Sequence, residues 1–337
     1  MGHATRCIPI INSLLKAGFQ PILASDGDAL LLLQKEFPLL KNYTLPSYHI
    51  KYPKKGKILK FKLFLSVPSI ISAVKKERKI IAELIEDENL SGIISDNRFG
   101  VFNKKVPSVY ITHQLNVLSG KTTSLTSKIH QKIIEQFDEC WVPDVETEPN
   151  FSGMLGHLNK PKYALKYLGI LSRFKKQKTT IKYDLLVLLS GPEPQRTLLE
   201  NKFLIELEGF NGQILFVRGI LSNKTKISAS TNFKIINFLA STELENAINQ
   251  SEIVLARSGY STIMDLAVLG KKVLFIPTPG QFEQEYLAEI LDEKLIAPFS
   301  TQQNFKVEDL NILTNFSGFK VYKTDFNLEL FSIFERK

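Results

Sequence analysis

The sequence contains few cysteines and no long apolar run. Only Cys7 and Cys140 are present in 337 residues, without metal-ligand spacing, which favours a reducing compartment over a disulfide framework. The longest apolar runs, such as 29–33, are far shorter than the ~20 residues that span a bilayer. Because the N-terminus also lacks a charged-then-apolar signal pattern, we expect a cytoplasmic protein.

Acidic residues are outnumbered by basic ones. The chain has 43 Lys and Arg against 34 Asp and Glu, a formal net charge of +9. This excess favours an anionic partner, which can be a nucleotide, a nucleic acid or an acidic membrane surface. No nucleic-acid-binding motif accompanies the charge, so we expect no nucleic-acid partner. Short repeats and low-complexity tracts are also absent, which argues against a solenoid.

Strand-like apolar runs alternate with helix-like stretches along most of the chain, a pattern typical of parallel α/β layers. The length suits two domains, and the polar, basic stretch 165–182 suits a hinge. We therefore predict two doubly wound, Rossmann-like domains that face each other across a cleft, with bounds 1–165 and 166–337. The last helix is expected to pack back on the N-terminal domain.

The chain opens directly on a turn and helix, MGHATRCIPIINSLLKAGF. A doubly wound domain normally begins with a strand that leads into such a turn. We therefore expect the first strand of the N-terminal domain to be missing and the native start to lie upstream.

Two adjacent strand ends in the second half carry polar turns. ARSGYSTIMD, residues 256–265, follows an apolar run and leads into a helix, where free N–H groups and hydroxyls suit a phosphate and one carboxylate suits a sugar diol. TPGQFEQEYLA, residues 278–288, repeats the arrangement with amide side chains. Because neighbouring parallel strands end at one edge, both turns are expected to line one ligand site. Short motifs match by chance, so each alone also fits an ordinary strand–turn–helix.

The segment RSGYSTIMDLAVLGKKVLFIPTPGQFEQEYLA resembles the donor-binding segment of glycosyltransferase family 28. This group has the two-domain GT-B fold and includes the peptidoglycan lipid-intermediate N-acetylglucosaminyltransferase. GHATRCIPIINSLLKAGF is similar to the Gly-His turn and first helix of the group's N-terminal domain. ISDNRFG (94–100) and VPSVYITHQL (106–115) resemble its next strand ends more loosely.

The resemblance implies a role for individual positions. Asp265 matches the acidic residue that binds the nucleotide ribose in this family. Residues 258–262 match the helix start that binds the diphosphate, and Gln284 matches an amide that contacts the donor sugar. The expected donor-binding residues are Ser190, Gly191, Arg196, Arg257, Ser258, Gly259, Tyr260, Ser261, Thr262, Asp265, Gln281 and Gln284.

Two histidines of the N-terminal half, one at a helix start and one after a strand, are the main candidates for the catalytic base. The expected catalytic residues are His3, His113 and Asp96, and the expected acceptor-binding residues are Arg98 and Gln114. His3 matches the histidine of the Gly-His turn, whereas His113 follows a buried strand and fits equally well as a base or as a polar loop anchor.

Two segments depart from a simple match. In LLSGPEPQRT (188–197), Pro192 and Pro194 remove N–H donors that a glycine-rich phosphate loop would supply, and Arg196 can compensate or can be an ordinary surface residue. SDGDA (25–29) contains an Asp-x-Asp pattern that binds metal in a different glycosyltransferase fold. Since it follows a strand and opens a helix, we interpret it as a turn and N-cap and predict no metal and no cofactor.

The run KYPKKGKILKFKLF (51–64) has six lysines, no acid and interleaved apolar residues. Such a run suits anionic lipid headgroups, with Lys54, Lys55, Lys57 and Lys60 as the expected contacts, although a solvated basic loop fits nearly as well. If the run binds lipid, we expect a peripheral position on the inner face of the cytoplasmic membrane.

These observations predict an inverting, metal-independent glycosyltransferase. It would move a hexose or N-acetylhexosamine from a nucleotide-diphosphate sugar, with UDP the expected nucleotide, to a lipid-linked or cell-envelope glycan acceptor. Two alternatives stay open. The GHxxR turn also resembles that of nucleotide-sugar hydrolases of pseudaminic acid biosynthesis, and the absent strand and the loop prolines also fit a non-catalytic sugar-nucleotide-binding protein.

Overall fold

The chain divides into two compact units. The first comprises residues 2–48 and 60–171 and the C-terminal stretch from Thr324, and the second is Ser172–Lys323. The unit changes after Leu171, a few residues beyond the expected boundary at 165. A computed structural model describes residues 2–48, 59–220, 232–324 and 326–335.

The first unit alternates helices with parallel strands. Its elements are α1 (Gly2–Lys16), β1 (Leu23–Ser25), α2 (Gly27–Glu36), β2 (Asn42–Thr44), α3 (Leu59–Asp87), β3 (Ile93–Asp96), β4 (Ser108–Ile111), α4 (Thr123–Ile134), β5 (Glu139–Val142) and β6 (Ala164–Tyr167). Strands β1 and β2 pair with each other, and the other four form a parallel sheet in the order β3-β4-β5-β6.

Both faces of the four-stranded sheet are covered, because successive side chains of a strand point to opposite faces. Val109 and Ile111 of β4 pack with residues of the 3₁₀ helix Leu328–Phe334. Between them in sequence, Tyr110 packs on the other side against Ile134 at the end of α4. Strand β4 therefore consists almost wholly of buried residues, which is why it is recognisable as an apolar run.

The second unit also alternates strands with helices, and its strands form one larger sheet. Its elements are β7 (Tyr183–Leu188), α5 (Gln195–Glu206), β8 (Ile214–Val217), β9 (Phe233–Ile236), α6 (Ser241–Asn249), β10 (Ser251–Ala256), α7 (Tyr260–Leu269), β11 (Lys272–Phe275) and α8 (Phe282–Glu293). The five strands are parallel and lie in the order β11-β10-β7-β8-β9.

The strand order of the second unit reverses between β7 and β10. The chain moves from β7 outward to β8 and β9, then returns to the other side of β7 for β10 and β11. In open parallel sheets, ligands bind outside the carboxyl ends of the strands at such a reversal. We therefore expect a ligand of the second unit at the loops after β7 and β10.

The structure confirms the predicted class of parallel α/β layers. The structure contains one strand that the sequence did not predict. This is β6, which forms where a hinge was expected to begin. Strand β6 lies at the edge of its sheet and its residues are exposed or half-buried. Such a strand carries no apolar run, so its sequence reads as a polar linker.

Candidate active site

Helix α7 begins directly after the strand end at the reversal. Gly259 occupies the N-cap position, and the first intrahelical bond runs from Ile263 N to Gly259 O, 3.0 Å. The N–H groups of the first turn therefore point away from the helix, where the helix dipole favours negative charge. Ser261 and Thr262 lie half-buried in this turn and add hydroxyls. These groups are of the kind that binds phosphate, and the diphosphate site at 258–262 stays a prediction.

Arg257 lies two residues before the N-cap of this helix and is almost fully buried, with 1% of its surface exposed. Its Nη1 donates to the carbonyls of Ile276 and Pro277, 3.0 Å each, and its Nη2 to Gln195 O and Gln302 Oε1, 3.2 and 2.6 Å. These partners are all uncharged. Burial lowers the pKa of Arg257 to about 9, which still leaves it charged at neutral pH.

We expected Arg257 to contact the donor directly, but its side chain instead binds groups within the protein. Its guanidinium joins the end of β11 to the start of α5, and among the residues that the structure describes no carboxylate pairs with it. The buried positive charge adds to the field of the α7 N-terminus and favours an anion there. Ser258 is likewise used internally, since its Oγ donates to Gln284 O at 2.8 Å.

Amide side chains hold the turn after β11. Gln284 Oε1 accepts from Thr278 N at 2.9 Å, and Gln284 Nε2 donates to Gln281 Oε1 at 2.5 Å. Glu285 Oε1 accepts from Gly280 N at 2.9 Å. The side chain of Gln284 thus shapes the turn, and Gln281 keeps its own NH₂ group for other partners.

Asp265 lies on α7 one turn after the hydroxyls. Its Oδ1 accepts from Ser172 Oγ at 2.6 Å, and the positive charge of Arg173 is close enough to favour its ionised form. Burial is the stronger influence and raises the pKa of Asp265 to about 6. The helix ends at Leu269, and Gly270 takes the left-handed φ of +59° that closes it. Ser172 and Arg173 are neighbours of the site that the sequence prediction omitted.

The loop after β7 contains the predicted residues Ser190 and Gly191, and Gly191 has a φ of +107°. Arg196 does not replace the donors that the prolines remove. Its guanidinium binds Glu193 and Glu200, and its Nη2 also donates to Thr197 Oγ1 at 2.7 Å. Because two carboxylates neutralise its charge, the expectation that Arg196 serves the diphosphate is not supported by the geometry.

In the first unit, His3, Arg6 and Asp96 form one cluster. His3 Nδ1 lies 2.9 Å from Asp96 Oδ1, and 53% of the His3 side chain is exposed. Arg6 donates to Asp96 through Nε at 2.7 Å and also through Nη2. Burial opposes ionisation of Asp96, but Arg6 and His3 outweigh it and hold the pKa of the carboxyl well below its usual range. Asp96 is therefore a fixed anion that can orient a histidine.

Arg6 and Cys7 belong to this cluster and are absent from the predicted site. Arg6 is buried, and Cys7 Sγ lies 3.3 Å from Asp96 Oδ2. Burial raises the pKa of the Cys7 thiol, so it stays protonated. The signal for Arg6 is its position three residues after His3, which puts both side chains on one face of α1.

The other predicted residues of the first unit are placed differently. His113 is buried, and its Nδ1 lies 2.7 Å from Arg6 Nη1. Since arginine only donates, Nδ1 accepts and the His113 proton resides on Nε2. Gln114 follows at the same strand end, with its backbone N donating to Thr112 Oγ1 at 3.0 Å.

Arg98, expected to bind the acceptor, is committed to the protein. It donates to Glu77 Oε1 at 2.7 Å and Asp26 Oδ1 at 2.6 Å, and also to Pro46 O. Asp26 occupies the predicted N-cap position of α2, but its side chain bonds Arg98 instead of capping the helix. Arg98 thus joins three segments of the first unit, and the geometry gives no support to an acceptor contact.

Within the described ranges, no group of three or more His, Cys, Asp or Glu residues is arranged to hold a metal ion. A bilayer-spanning helix is also not found among the described helices. Lys54, Lys55 and Lys57 lie outside the described residues, and Lys60 lies in α3.

Comparison with known proteins identifies the second unit. Residues 194–314 match the family model described as the glycosyltransferase family 28 C-terminal domain. This segment is similar to the C-terminal domain of family 28, and relatives that match most of the chain are named glycosyltransferases. The matched segment contains all the expected donor-binding residues except Ser190 and Gly191. It also contains the whole of α7.

Relatives extend the similarity to both units. The UDP-N-acetylglucosamine--N-acetylmuramyl-(pentapeptide) pyrophosphoryl-undecaprenol N-acetylglucosamine transferase of Haemophilus ducreyi is 25% identical over 321 residues, covering 93% of this chain and 86% of that protein. Among solved structures, spinosyn rhamnosyltransferase SpnG has a TM-score of 0.62 at 13% identity, covering 94% of this chain and 90% of that one. MurG of Acinetobacter baumannii has a TM-score of 0.50 at 14% identity, with coverages of 93% and 86%. These structures show the shared GT-B fold.

Proposed function

We propose that this enzyme transfers a hexose or N-acetylhexosamine from a nucleotide-diphosphate sugar, with UDP as the expected nucleotide, to a lipid-linked or cell-envelope glycan. The observation that carries the proposal is the start of α7, where the helix N-terminus carries the hydroxyls of Ser261 and Thr262, the buried Arg257 lies two residues before the N-cap, and Asp265 follows one turn later. The Haemophilus ducreyi relative, by its name, uses UDP-N-acetylglucosamine and an undecaprenol-linked acceptor.

The second unit would bind the donor. The diphosphate would accept hydrogen bonds from the first turn of α7 and the hydroxyls of Ser261 and Thr262. Asp265 would accept hydrogen bonds from two ribose hydroxyls, which requires its ionised form. The charge that develops on the departing diphosphate would be stabilised by the same helix start and by Arg257, so we propose a metal-independent reaction.

The first unit would supply the base. His3 Nδ1 faces both Asp96 Oδ1 and Arg6 Nη2 at 2.9 Å. Arg6 Nη2 has two N–H groups, of which one donates to Asp96. We propose that the ring proton of His3 is on Nδ1 and is donated to Asp96 Oδ1, because an ionised carboxylate is a strong acceptor. The lone pair of His3 is then on Nε2, on a largely exposed ring. This is the form of histidine that can take a proton from an acceptor hydroxyl.

The proposed reaction is a single displacement. The acceptor oxygen bonds to the anomeric carbon as the bond from that carbon to the diphosphate oxygen breaks. The acceptor proton passes to His3 Nε2, and the nucleoside diphosphate leaves with the bonding electrons. One displacement at the anomeric carbon inverts its configuration.

A panel of nucleotide sugars tests the function, with nucleotide release measured with and without membrane extract. We expect release to depend on one nucleotide sugar and to increase when the extract supplies an acceptor, with a new sugar-bearing lipid or glycan formed. Equal release in buffer alone would instead indicate a nucleotide-sugar hydrolase. Binding without release would indicate a non-catalytic protein.

We also propose contact with an acidic membrane. Besides the lysines of 51–64, exposed side chains at and just before helix α4 suit such a contact. Leu125 and Ile129 are 62% and 53% exposed, and Lys121, Lys128 and Lys132 are exposed beside them. At 3.6 residues per turn, the four of these side chains that belong to α4 fall within an arc of roughly 100°, and Lys121 lies in the 3₁₀ turn Gly120–Thr122 that precedes the helix. We call them the α4 face. Apolar side chains flanked by lysines suit the interface of an anionic bilayer.

Changing Lys121, Lys128 and Lys132 to Gln is expected to weaken binding to acidic vesicles, because each lysine near such a surface contributes about 1 kcal/mol. Sedimentation with vesicles at low and high salt measures it, and the wild-type binding should fall as salt screens the charges. Changing Lys54, Lys55, Lys57 and Lys60 to Gln is the matching test for the other segment.

A control with the same charge change is available in the second unit, where Lys175, Lys176 and Lys178 are exposed. Their change to Gln should leave vesicle binding unaltered. If wild-type protein ignores acidic vesicles even at low salt, the membrane proposal is wrong.

A further inference from the structure

A chain of buried side chains ends at Asn97, the residue directly after Asp96. Tyr110 of β4 is fully buried, and its hydroxyl donates to Asn97 Oδ1 at 2.7 Å. His130 of α4 is also buried, with Nε2 3.0 Å from the same hydroxyl. None of these three side chains has a part in the chemistry proposed above.

We assign the direction of these hydrogen bonds from the Tyr110 hydroxyl, which donates to the carbonyl oxygen of Asn97. Tyrosine has a single O–H proton, and donating it to Asn97 leaves the Tyr110 oxygen as an acceptor for His130 Nε2–H. Burial raises the pKa of Tyr110, which keeps this proton in place. Burial also lowers the pKa of His130 to about 4, so the ring stays neutral at physiological pH. In this assignment His130 donates to Tyr110, and Tyr110 donates to Asn97.

This arrangement decides which end of the Asn97 amide is available. Its oxygen is occupied by Tyr110, so the NH₂ group is the end that can meet another molecule. The backbone is fixed as well, because Asn97 N donates to Ile111 O at 3.2 Å and Asn97 has a φ of +53°, a conformation that asparagine tolerates. Asn97 itself is half-buried.

We infer that Asn97 is a specificity-determining residue that donates from Nδ2 to an oxygen of the acceptor sugar, with Tyr110 and His130 as its positioning residues. The inference rests on the proposed function, because it requires the acceptor hydroxyl to lie at the end of β3, where Asp96 contacts His3 of α1. Asn97 is neutral, so a sugar oxygen suits it better than a phosphate, which would favour a charged donor.

The test is Asn97→Asp, assayed with the wild-type donor and whichever acceptor of the extract the wild type uses. Aspartate can still accept from Tyr110, but it has no proton to donate to the acceptor. We expect KM for the acceptor to rise about 10-fold, while kcat and KM for the donor change less than about twofold. Tyr110→Phe should raise KM for the acceptor less, by about threefold, because the amide stays but loses its orientation.

Asn103→Asp is the matched control, since the Oδ1 of Asn103 likewise accepts one hydrogen bond within the first unit, from the backbone N–H of Lys105 at 2.9 Å. It should leave all constants unchanged. An unchanged KM for the acceptor in Asn97→Asp, or an equal loss in every constant together with a lower Tm, overturns the inference while the wild type still transfers sugar. A wild type that transfers to no acceptor overturns the proposed function itself, and the role of Asn97 with it.

Discussion

Replacing His3 with alanine is expected to lower kcat for sugar transfer about 100-fold or more, the usual contribution of a general base. Affinity for the sugar nucleotide should stay unchanged, because Asp265 and the start of α7 belong to the other unit. The expectation rests on the contact of His3 Nδ1 with Asp96, which leaves Nε2 as the proton acceptor. Steady-state kinetics and calorimetric titration with the sugar nucleotide measure the two quantities.

Asn12→Ala is a suitable control for the His3 variant, since Asn12 is exposed on the same helix. His113→Ala separates the two histidines. His113 accepts from Arg6 and is buried, so we expect its loss to act through Arg6 and to lower kcat less. If His113→Ala abolishes transfer while His3→Ala does not, the base is His113. Near-normal turnover in both variants would exclude a histidine base and leave Asp96 as the next candidate.

The second unit was largely predictable, because its strands are short apolar runs that end in turns of small and polar residues. Parallel strands buried on both faces carry almost no polar side chains, and Val254 and Leu255 of β10 are completely buried. Helix starts such as that of α7 follow directly from the turn chemistry. The order of the strands, and hence the reversal between β7 and β10, follows only from the structure.

The predictions for arginines were less successful, for a physical reason. A sequence shows that a guanidinium lies near a strand end, but not which acceptors surround it. Arg98 meets Asp26 and Glu77, which are 72 and 21 positions away. Arg196 is neutralised by acids close in sequence, and Arg257 binds carbonyls of two other segments. Buried charges need such partners, so they are the residues most often committed to the fold.

Changing Asp265 to Asn is expected to weaken binding of the sugar nucleotide about 10- to 100-fold, because a charge-assisted hydrogen bond to the ribose diol becomes a neutral one. Wild-type affinity should also fall as the pH is lowered through about 6, the pKa of Asp265, and this dependence should be absent in the variant. Calorimetry should use the intact sugar nucleotide, since the terminal phosphate of a free nucleotide titrates near pH 6 as well.

Asp184→Asn is the matched control, because Asp184 lies near the start of β7, at the opposite end of that strand from the site, and accepts from Gln213 N at 2.7 Å. It should leave affinity and its pH dependence as in the wild type. Unchanged affinity in Asp265→Asn would remove this carboxylate from the donor site.

The thermal stability of the same variant gives an independent check. Since burial raises the pKa of Asp265 to about 6, the folded chain holds this proton more tightly than the unfolded chain. Ionising Asp265 therefore costs stability, increasingly as the pH rises from about 4, the usual value, towards 6, and fully above that. Asparagine avoids this cost and can still accept from Ser172 Oγ. We expect Asp265→Asn to melt at the wild-type temperature at pH 4 and at an equal or higher temperature at pH 7.5. A lower Tm at pH 7.5 would mean that the ionised carboxylate stabilises the fold. In that case the loss of donor binding alone would no longer assign Asp265 to the ribose.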